Sequence, residues 1–548
     1  MSRTTIHPRG RRWLGAAAGL TLLGAGITPV AAGTADSNNN TSRKLRAAVT
    51  ADGIMQHARV LQDIADANGA TRVSGTAGYD DSADYAMDVF RNAGFSVTRQ
   101  TFSFQTFIER PGTTLLERVS PPPAGPLTTT IMSYSGSGDV TAAVSTVANV
   151  GCNAADFAGF PAGNIALISR GSCTFATKAT NANAAGASAV VIYNNGPGTL
   201  NGTLGNGFTL NLPVVAVTQA LGQELAATPS LQLRVRTDTF RGIASTSNVI
   251  AESKTGNPDN VVMAGAHLDS VAPGPGINDN GSGSATILEL AEQMTKVKPV
   301  NKVRFVLWGA EESGLVGSHY YVNDLKANNP SELERIALYL NFDMIGSPNY
   351  ARFVYDGDNS AFPVGTGSAA GPAGSGEIED LFHDYFESVG LASAETPFSG
   401  RSDYGPFIAA GVDIPSGGLF TGAEGLKTAE QAAAFGGVEG AAYDPCYHQA
   451  CDELTPNYGS DTAKAALFGQ LSTAYAMEGN VNLEALEEMS DAVAHAVITY
   501  AFDTRSVNGE GRGHPVSPPG QAVDGKPGGQ MDDSGGGLHP EHEEAVAS

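Results

Sequence analysis

Two histidines and a set of carboxylates are the residues of this chain whose types and spacing can do chemistry. The stretch Gly265-Ala-His267-Leu-Asp269-Ser-Val-Ala-Pro-Gly-Pro-Gly-Ile-Asn-Asp279-Asn-Gly-Ser-Gly283 puts His267 at the end of an apolar run and Asp279 after a glycine-rich loop. Asp269 can accept a hydrogen bond from the imidazole nitrogen that does not ligate, which fixes the tautomer. Next, Gly309-Ala-Glu311-Glu312-Ser-Gly sets two adjacent carboxylates behind a wholly apolar segment. Such neighbours repel and need a cation or a proton between them, so one can ligate a metal while the other handles protons. Asp343-Met-Ile-Gly346 follows a third apolar run, and Cys446-Tyr447-His448-Gln-Ala-Cys451 sets a second histidine in a tight loop that a disulfide can hold rigid. Imidazole nitrogens with carboxylate oxygens suit a first-row metal. An aspartate able to bridge suits a pair of zinc ions, which together hold a hydroxide and polarise a carbonyl. A lone His-x-Asp or Glu-Glu carries little. The succession of them, each behind an apolar run, points to a metallohydrolase.

Strand ends must deliver these side chains. Val261–Ala266, Val303–Trp308 and Ile336–Phe342 read as buried strands. Ala285, Leu288, Ala291 and Met294 share one helix face, and Ile378, Leu381, Phe382, Tyr385 and Val389 mark another helix. This alternation predicts an α/β fold with a mixed central sheet covered by helices on both faces, whose ligands gather at the carboxyl ends of the strands. Upstream, Ile54, Ala58, Leu61 and Ile64/Ala65 define a helix ended by Gly69, and Ala86, Val89, Phe90 and Ala93 a second ended by Gly94. Between residues 128 and 240 short apolar strands (Ile165–Ile168, Ala189–Tyr193, Pro213–Val217) occur without a single histidine. That texture predicts a separate β-rich module inserted in the larger domain. The chain divides into a leader (1–35), a propeptide or linker (36–48), the first part of the catalytic domain (49–127), the insert (128–240), the main part of the catalytic domain (241–502) and a disordered tail (503–548).

Charge excludes some partners. The 548 residues carry 32 Lys and Arg against 56 Asp and Glu, a net charge of −24. Nucleic-acid binding is excluded as a default, because phosphate affinity needs clustered cations. Arg3, Arg9, Arg11 and Arg12, the apolar run Leu14–Ile27 and the small residues Val30-Ala31-Ala32 read as a secretory signal peptide; Arg11-Arg12 also permits twin-arginine export. Removing 1–35, with four Arg and no acid, takes the charge from −24 to −28. No later apolar run is long enough to span a membrane, so an exported, soluble monomer is expected. Cys152, Cys173, Cys446 and Cys451 allow three pairings, of which the local one is simplest. The acidic surface can hold Ca2+, although no EF-hand-type loop is present.

Residues 261–455 resemble the secreted bacterial di-zinc aminopeptidases. The matching strings are AHLDSVAPGPGINDNGSG, GAEESGLVGS, NFDMIGSPN, SGRSDYGPF, IPSGGLFTGAEGLKT and CYHQACDELTPN, in the family's order. Arg72-Val-Ser-Gly75 with Gly78-Tyr79 resembles its N-terminal part. The string GNIALISRGSCTFATKATNANAAGASAVVIYNN makes 128–240 similar to a protease-associated domain. The resemblance implies a zinc exopeptidase-like fold and hydrolysis of the N-terminal peptide bond of peptides or proteins. It implies that His267 and Asp343 bind one Zn2+, Glu312 and His448 the other, and that Asp279 bridges them. Glu311 is then the general base, and Tyr447 donates to the oxyanion. Arg401 positions the substrate, and Met344, Gly400 and Phe420 line an apolar first-residue pocket of leucine type. One departure is Asn280, where some relatives carry a second Asp.

Two other readings remain at this stage. HLDSVAP followed by Glu-Glu also resembles the zinc carboxypeptidases and deacylases, but those place their extra domain between the Glu-Glu pair and the final histidine. The transferrin receptor pairs similar domains as a non-catalytic scaffold, but such scaffolds lose ligands, and here all five ligand positions and the base are present.

Overall fold

The computed structural model describes residues 38–509 and Gly513, apart from 111, 197, 199, 201, 206, 363–368 and 460. The signal-peptide region and residues 510–512 and 514–548 of the expected tail lie outside these.

Eight strands form the main sheet, in the spatial order Ser96–Glu109, Thr239–Glu252, Asn301–Trp308, Asn257–His267, Ile336–Phe342, Ser416–Phe420, Phe353–Tyr355, Ala394–Thr396. The four central strands, from Asn301–Trp308 to Ser416–Phe420, run parallel, while the flanking pairings include antiparallel ones. The sheet is therefore mixed. Period-two alternation sends Val262, Ala264, Ala266, Phe305 and Leu307 to one face and Val261, Met263, Val306 and Trp308 to the other. The first face packs against Ala51–Ala67, Ala77–Asn92, Gly281–Gln293, Ser375–Ser388 and Leu483–Phe502; the second packs against Val316–Asn328. Both faces are buried, which is why these strands read as unbroken apolar runs.

The two N-terminal helices form where expected. Thr50 caps the first by accepting from the Gly53 N–H at 3.1 Å, and Ile54, Ala58, Leu61 and Ala65 are its buried stripe. Gly69 and Gly94 leave the helices with positive φ, +82° and +90°, a region open to glycine.

The strands Ser96–Glu109 and Thr239–Glu252 pair antiparallel without interruption and carry the chain into a second eight-stranded sheet and back. That sheet contains Ile165–Ser169, Ala189–Tyr193 and Val214–Val217, as the apolar runs predicted. It also contains Gly125–Leu127, paired with Leu115–Ser120, which pairs in turn with Gln232–Thr237. The boundary expected at 128 thus falls inside the second sheet. Pro121, Pro122 and Pro123 lie in the turn that joins two strands of this sheet.

Two further expectations need correction. Residues 36–48 do not run wholly as a linker: Ser42–Arg46 is a helix whose Leu45 is buried against Leu483–Phe502. The tail does not begin at 503: Arg505–Asn508 is helical, Val507 is buried, and the Gly513 N–H donates to the Asp259 carbonyl. Both segments are too short for periodicity to register, and tertiary contacts order them.

Candidate metal centre

The parallel strands end at one edge of the sheet, and their ends carry the site. His267 closes Asn257–His267, Glu311 and Glu312 follow Asn301–Trp308, and Asp343 follows Ile336–Phe342. Asp279 stands just before Asn280, the N-cap of Gly281–Gln293, whose Oδ1 accepts from the Gly283 N–H at 3.0 Å. Asn280 also donates to the Phe342 carbonyl at 3.0 Å and accepts from the Met344 N–H at 3.2 Å, tying the Asp279 turn to the Asp343 loop. The glycine-rich loop before it is crowded: a Cβ on Gly276 (φ +63°) would lie 2.2 Å from the Asp279 carbonyl oxygen. His448 sits in the loop closed by the Cys446–Cys451 disulfide. Cys152 and Cys173 pair within the insert, so both bridges are local. Ala310, Met344 and His448 all take left-handed backbone (φ +57°, +50° and +54°), the kind of strain that functional loops retain when their surroundings impose it.

These loops converge on Asp279. His267 Nε2 lies 3.2 Å from Asp279 Oδ1 and 3.3 Å from Asp343 Oδ1. His448 Nε2 lies 3.3 Å from Asp279 Oδ2 and 3.2 Å from Glu312 Oε2. The two oxygens of Asp279 thus face two different imidazoles. His267, Asp279 and Asp343 form one group of converging ligand atoms, and Asp279, Glu312 and His448 the other. Glu312 Oε1 and Asp343 Oδ1 are buried without a hydrogen-bond partner, a costly state unless a cation satisfies them. Each group offers one nitrogen and two carboxylates, the three-ligand set of a catalytic zinc site with an open position. The donors fit two such ions.

Electrostatics agree with a cation deficit. Burial opposes charge on His267, yet Asp343 and Glu311 outweigh it and hold its pKa well above the ordinary histidine value. His448 is raised in the same way, against burial, by Glu312 and Asp279. Burial drives the Glu311 carboxyl well up; His267 opposes this, and Asp403, Glu312 and Asp343 add to it.

Outer groups orient the inner ones. Trp308 Nε1 donates to the Tyr339 hydroxyl (2.7 Å), which donates to Asn341 Oδ1 (2.9 Å); Asn341 Nδ2 donates to Ser402 Oγ (2.8 Å), which donates to Asp343 Oδ2 (2.7 Å). This chain occupies one oxygen of Asp343 and turns the other toward His267. Asp452 takes the Asn278 and Asp279 N–H groups at 2.8 and 2.9 Å. Asp444 takes the Cys446 N–H (2.8 Å) and Asn278 Nδ2 (2.7 Å), and Asn480 Nδ2 donates to both carboxylates. The disulfide loop is thereby fastened to the Asp279 turn. Arg72, fully buried, donates to the carbonyls of Leu268, Pro275 and Gly276, and Ser74 accepts from the Ala310 N–H at 2.7 Å. The Arg72-Val-Ser-Gly75 string therefore holds two of the site's loops.

Asp269 differs from expectation in which atom it uses. His267 Nδ1 donates to its backbone carbonyl at 3.1 Å, with Asp269 Oδ1 at 3.7 Å. The Asp269 carboxylate instead accepts from the Glu311 N–H at 3.2 Å. With a single residue between the partners, the main-chain carbonyl reaches the ring first, which frees the carboxylate to position the Glu311 loop.

A small cavity opens beside the carboxylates, lined by Met344, Phe420, Tyr355, Tyr404, Arg401 and Tyr447 among others. Tyr447 stacks on His448, with ring centroids 3.8 Å apart. Gly400 does not line it: its N–H donates to the Tyr404 hydroxyl at 3.0 Å, so it shapes the wall from behind. Asp403, Asp444, Asp452, Tyr404 and Glu424 were not singled out from sequence. Asp444 and Asp452 flank the disulfide loop, and that position was the available signal. Nothing in the sequence distinguishes Glu424, which lines the cavity with Oε2 buried and unpartnered.

Comparison with known proteins adds an independent observation. Residues 248–471 match peptidase family M28, and residues 137–225 match the PA domain. The chain is 44% identical over 478 residues to an aminopeptidase of Pseudomonas aeruginosa, covering 84% of this chain and 82% of that one. It is 45% identical over 382 residues to a probable leucine aminopeptidase 2 of Aspergillus oryzae, covering 69% and 70%. Among solved structures it resembles an aminopeptidase from Aneurinibacillus sp. strain AM-1 (TM-score 0.61, 26% identity, 87% of this chain and 98% of that one). It also resembles a zinc aminopeptidase from Bacillus subtilis (TM-score 0.57, 26% identity, 82% and 94%).

Proposed function

Because the chain belongs to peptidase family M28 and carries a PA domain within it, we propose that it is a secreted, monomeric aminopeptidase that binds two zinc ions and removes single apolar residues, leucine foremost, from peptide N-termini. The observation that carries this reading is the placement of Asp279, one oxygen toward His267 and the other toward His448, at the mouth of a cavity walled by Met344, Phe420 and Tyr355. His267 and Asp343 hold one ion, Glu312 and His448 the other, and Asp279 is shared. The bound ions supply Lewis acidity, polarising the scissile carbonyl and making water acidic enough to lose a proton near neutral pH.

The remaining work falls to the chain's own side chains. Glu311 accepts the proton of the attacking water and passes it to the leaving amine. Asp269, through the Glu311 N–H, keeps that carboxylate over the site. Burial, with Glu424 and Asp279 adding to it, raises the Tyr447 hydroxyl well above its ordinary pKa, so it stays a hydrogen-bond donor for the developing oxyanion. Arg401 lines the cavity and positions the substrate end.

The test combines metal analysis with a panel of aminoacyl 4-nitroanilides. Two zinc per chain, activity lost on chelation and preference for leucine support the reading. Cleavage of N-acylated but not free-amine substrates overturns it, and a strong preference for Asp or Lys overturns the apolar specificity.

A further inference from the structure

The cavity beside the carboxylates accounts for one residue of a peptide, and its walls are core aromatics: Tyr355 packs on Tyr404, and Tyr404 stacks on Phe398. The rest of the substrate must leave on another side. A second, larger space begins at the same centre, since Glu312 and His448 line both. It is more than twice the size of the first, so it has room for more than one residue of extended chain. Its floor is the catalytic domain's own loop from Asp269 to Pro273, with Ser313. Its roof is the insert: Thr129, Ile131 and Ser133, at and beside the edge strand Thr130–Ile131 of the second sheet. Glu109, at the end of the ribbon joining the two sheets, closes one side.

The lining mixes apolar and polar side chains, and its carboxylates are unopposed by Lys or Arg among the described residues. Beyond Glu312, which the reading above gives to a metal ion, its carboxylates are Glu109 and Asp269, the latter buried on the Glu311 N–H. An extended chain passing through would meet hydroxyls and carboxylates between apolar side chains such as Val73, Phe107, Ile131 and Val271. Acidic side chains there would face like charge in a partly desolvated groove, where repulsion is stronger than in water.

We propose that this groove between the insert and the Asp269–Pro273 loop binds the part of the peptide C-terminal to the scissile bond, and that it selects chains whose second and third residues are neutral or basic. The proposal rests on the aminopeptidase reading above and deepens it: the insert is a wall of the substrate site.

The experiment compares kcat/KM of the wild-type protein on leucyl 4-nitroanilide, Leu-Ala-Lys-Ala-amide and Leu-Ala-Glu-Ala-amide. The lysine peptide is expected to exceed the glutamate peptide by about tenfold, the effect of one unit charge at partly screened range. Glu109→Gln should shrink that ratio several-fold and leave the anilide rate within about twofold. Ser133→Trp, which narrows the roof, should lower both peptide rates about tenfold or more and spare the anilide. Equal wild-type rates on the two peptides, or a parallel fall on peptides and anilide in both variants, overturns the proposal. Absence of anilide cleavage by the wild-type protein instead overturns the aminopeptidase reading itself.

Discussion

Replacing Asp452 by alanine tests whether the disulfide loop and the Asp279 turn act as one unit. Its carboxylate is buried and accepts three hydrogen bonds: from the N–H groups of Asn278 (2.8 Å) and Asp279 (2.9 Å) and from Asn480 Nδ2 (2.9 Å). Asn480 retains Asp444 as an acceptor at 3.0 Å, so it is not orphaned. The two backbone N–H groups are, and each buried donor left unpaired costs about 1–3 kcal/mol, giving roughly 2–6 kcal/mol in all. One term offsets this. Burial, and then Asp444, push the Asp452 carboxyl well up in pKa, so its removal relieves a buried like-charge contact. The expected net loss is therefore in the lower half of that range, about 2–4 kcal/mol. The Ile277 N–H still reaches the Asp452 carbonyl at 3.2 Å, so the chain path survives while the Asp279 backbone loosens. Zinc affinity should then fall about 10–100-fold, as when outer partners of metal ligands are removed. Denaturant midpoints of the metal-free protein measure the first effect, and zinc competition against a chelator measures the second. A stability change below about 0.5 kcal/mol, the range of inert surface changes, together with unchanged zinc affinity, would refute the reasoning.

Three other outcomes follow from the same geometry. Glu311→Gln should cut kcat by about 10²–10⁴-fold while zinc content stays at the wild-type level; near-native turnover would remove Glu311 from the mechanism. Glu312→Ala should lose zinc, and elemental analysis finding full occupancy would contradict its assignment. Glu379 offers a pH test: burial, reinforced by Glu395 and opposed by the Asp358 and Gly357 N–H groups, pushes its carboxyl from 4.5 up to about 7. The native state thus keeps this proton longer than the unfolded chain. Its contribution is greatest below about pH 4.5 and is lost as pH rises through about 7. Glu379→Gln should accordingly raise Tm relative to wild type more at pH 8 than at pH 5, and a pH-independent difference would show that this carboxyl is not shifted.

The sequence by itself determined the elements and the inner residues of the site. His267, Glu311, Glu312 and Asp343 follow apolar runs that had to be buried parallel strands, and parallel strands place their carboxyl ends together. Helix faces such as Ile54, Ala58 and Leu61 were legible for the same reason: the 3.6-residue period is a local property. Only the tertiary structure decided what each polar atom touches. Asp452 meets Asp279 across 173 positions of chain, and Ser402 meets Asp343 across 59. No period or spacing encodes such pairs, because they exist only once separate loops pack at one sheet edge. The same holds for the choice of the Asp269 carbonyl over its carboxylate and for the passage of Gly400 behind the cavity wall. It holds too for the insert's true start, set by the pairing of Leu115–Ser120 with Gln232–Thr237 more than a hundred residues later. Burial makes these choices binding: a polar atom removed from water must find whichever partner the packed fold brings within reach.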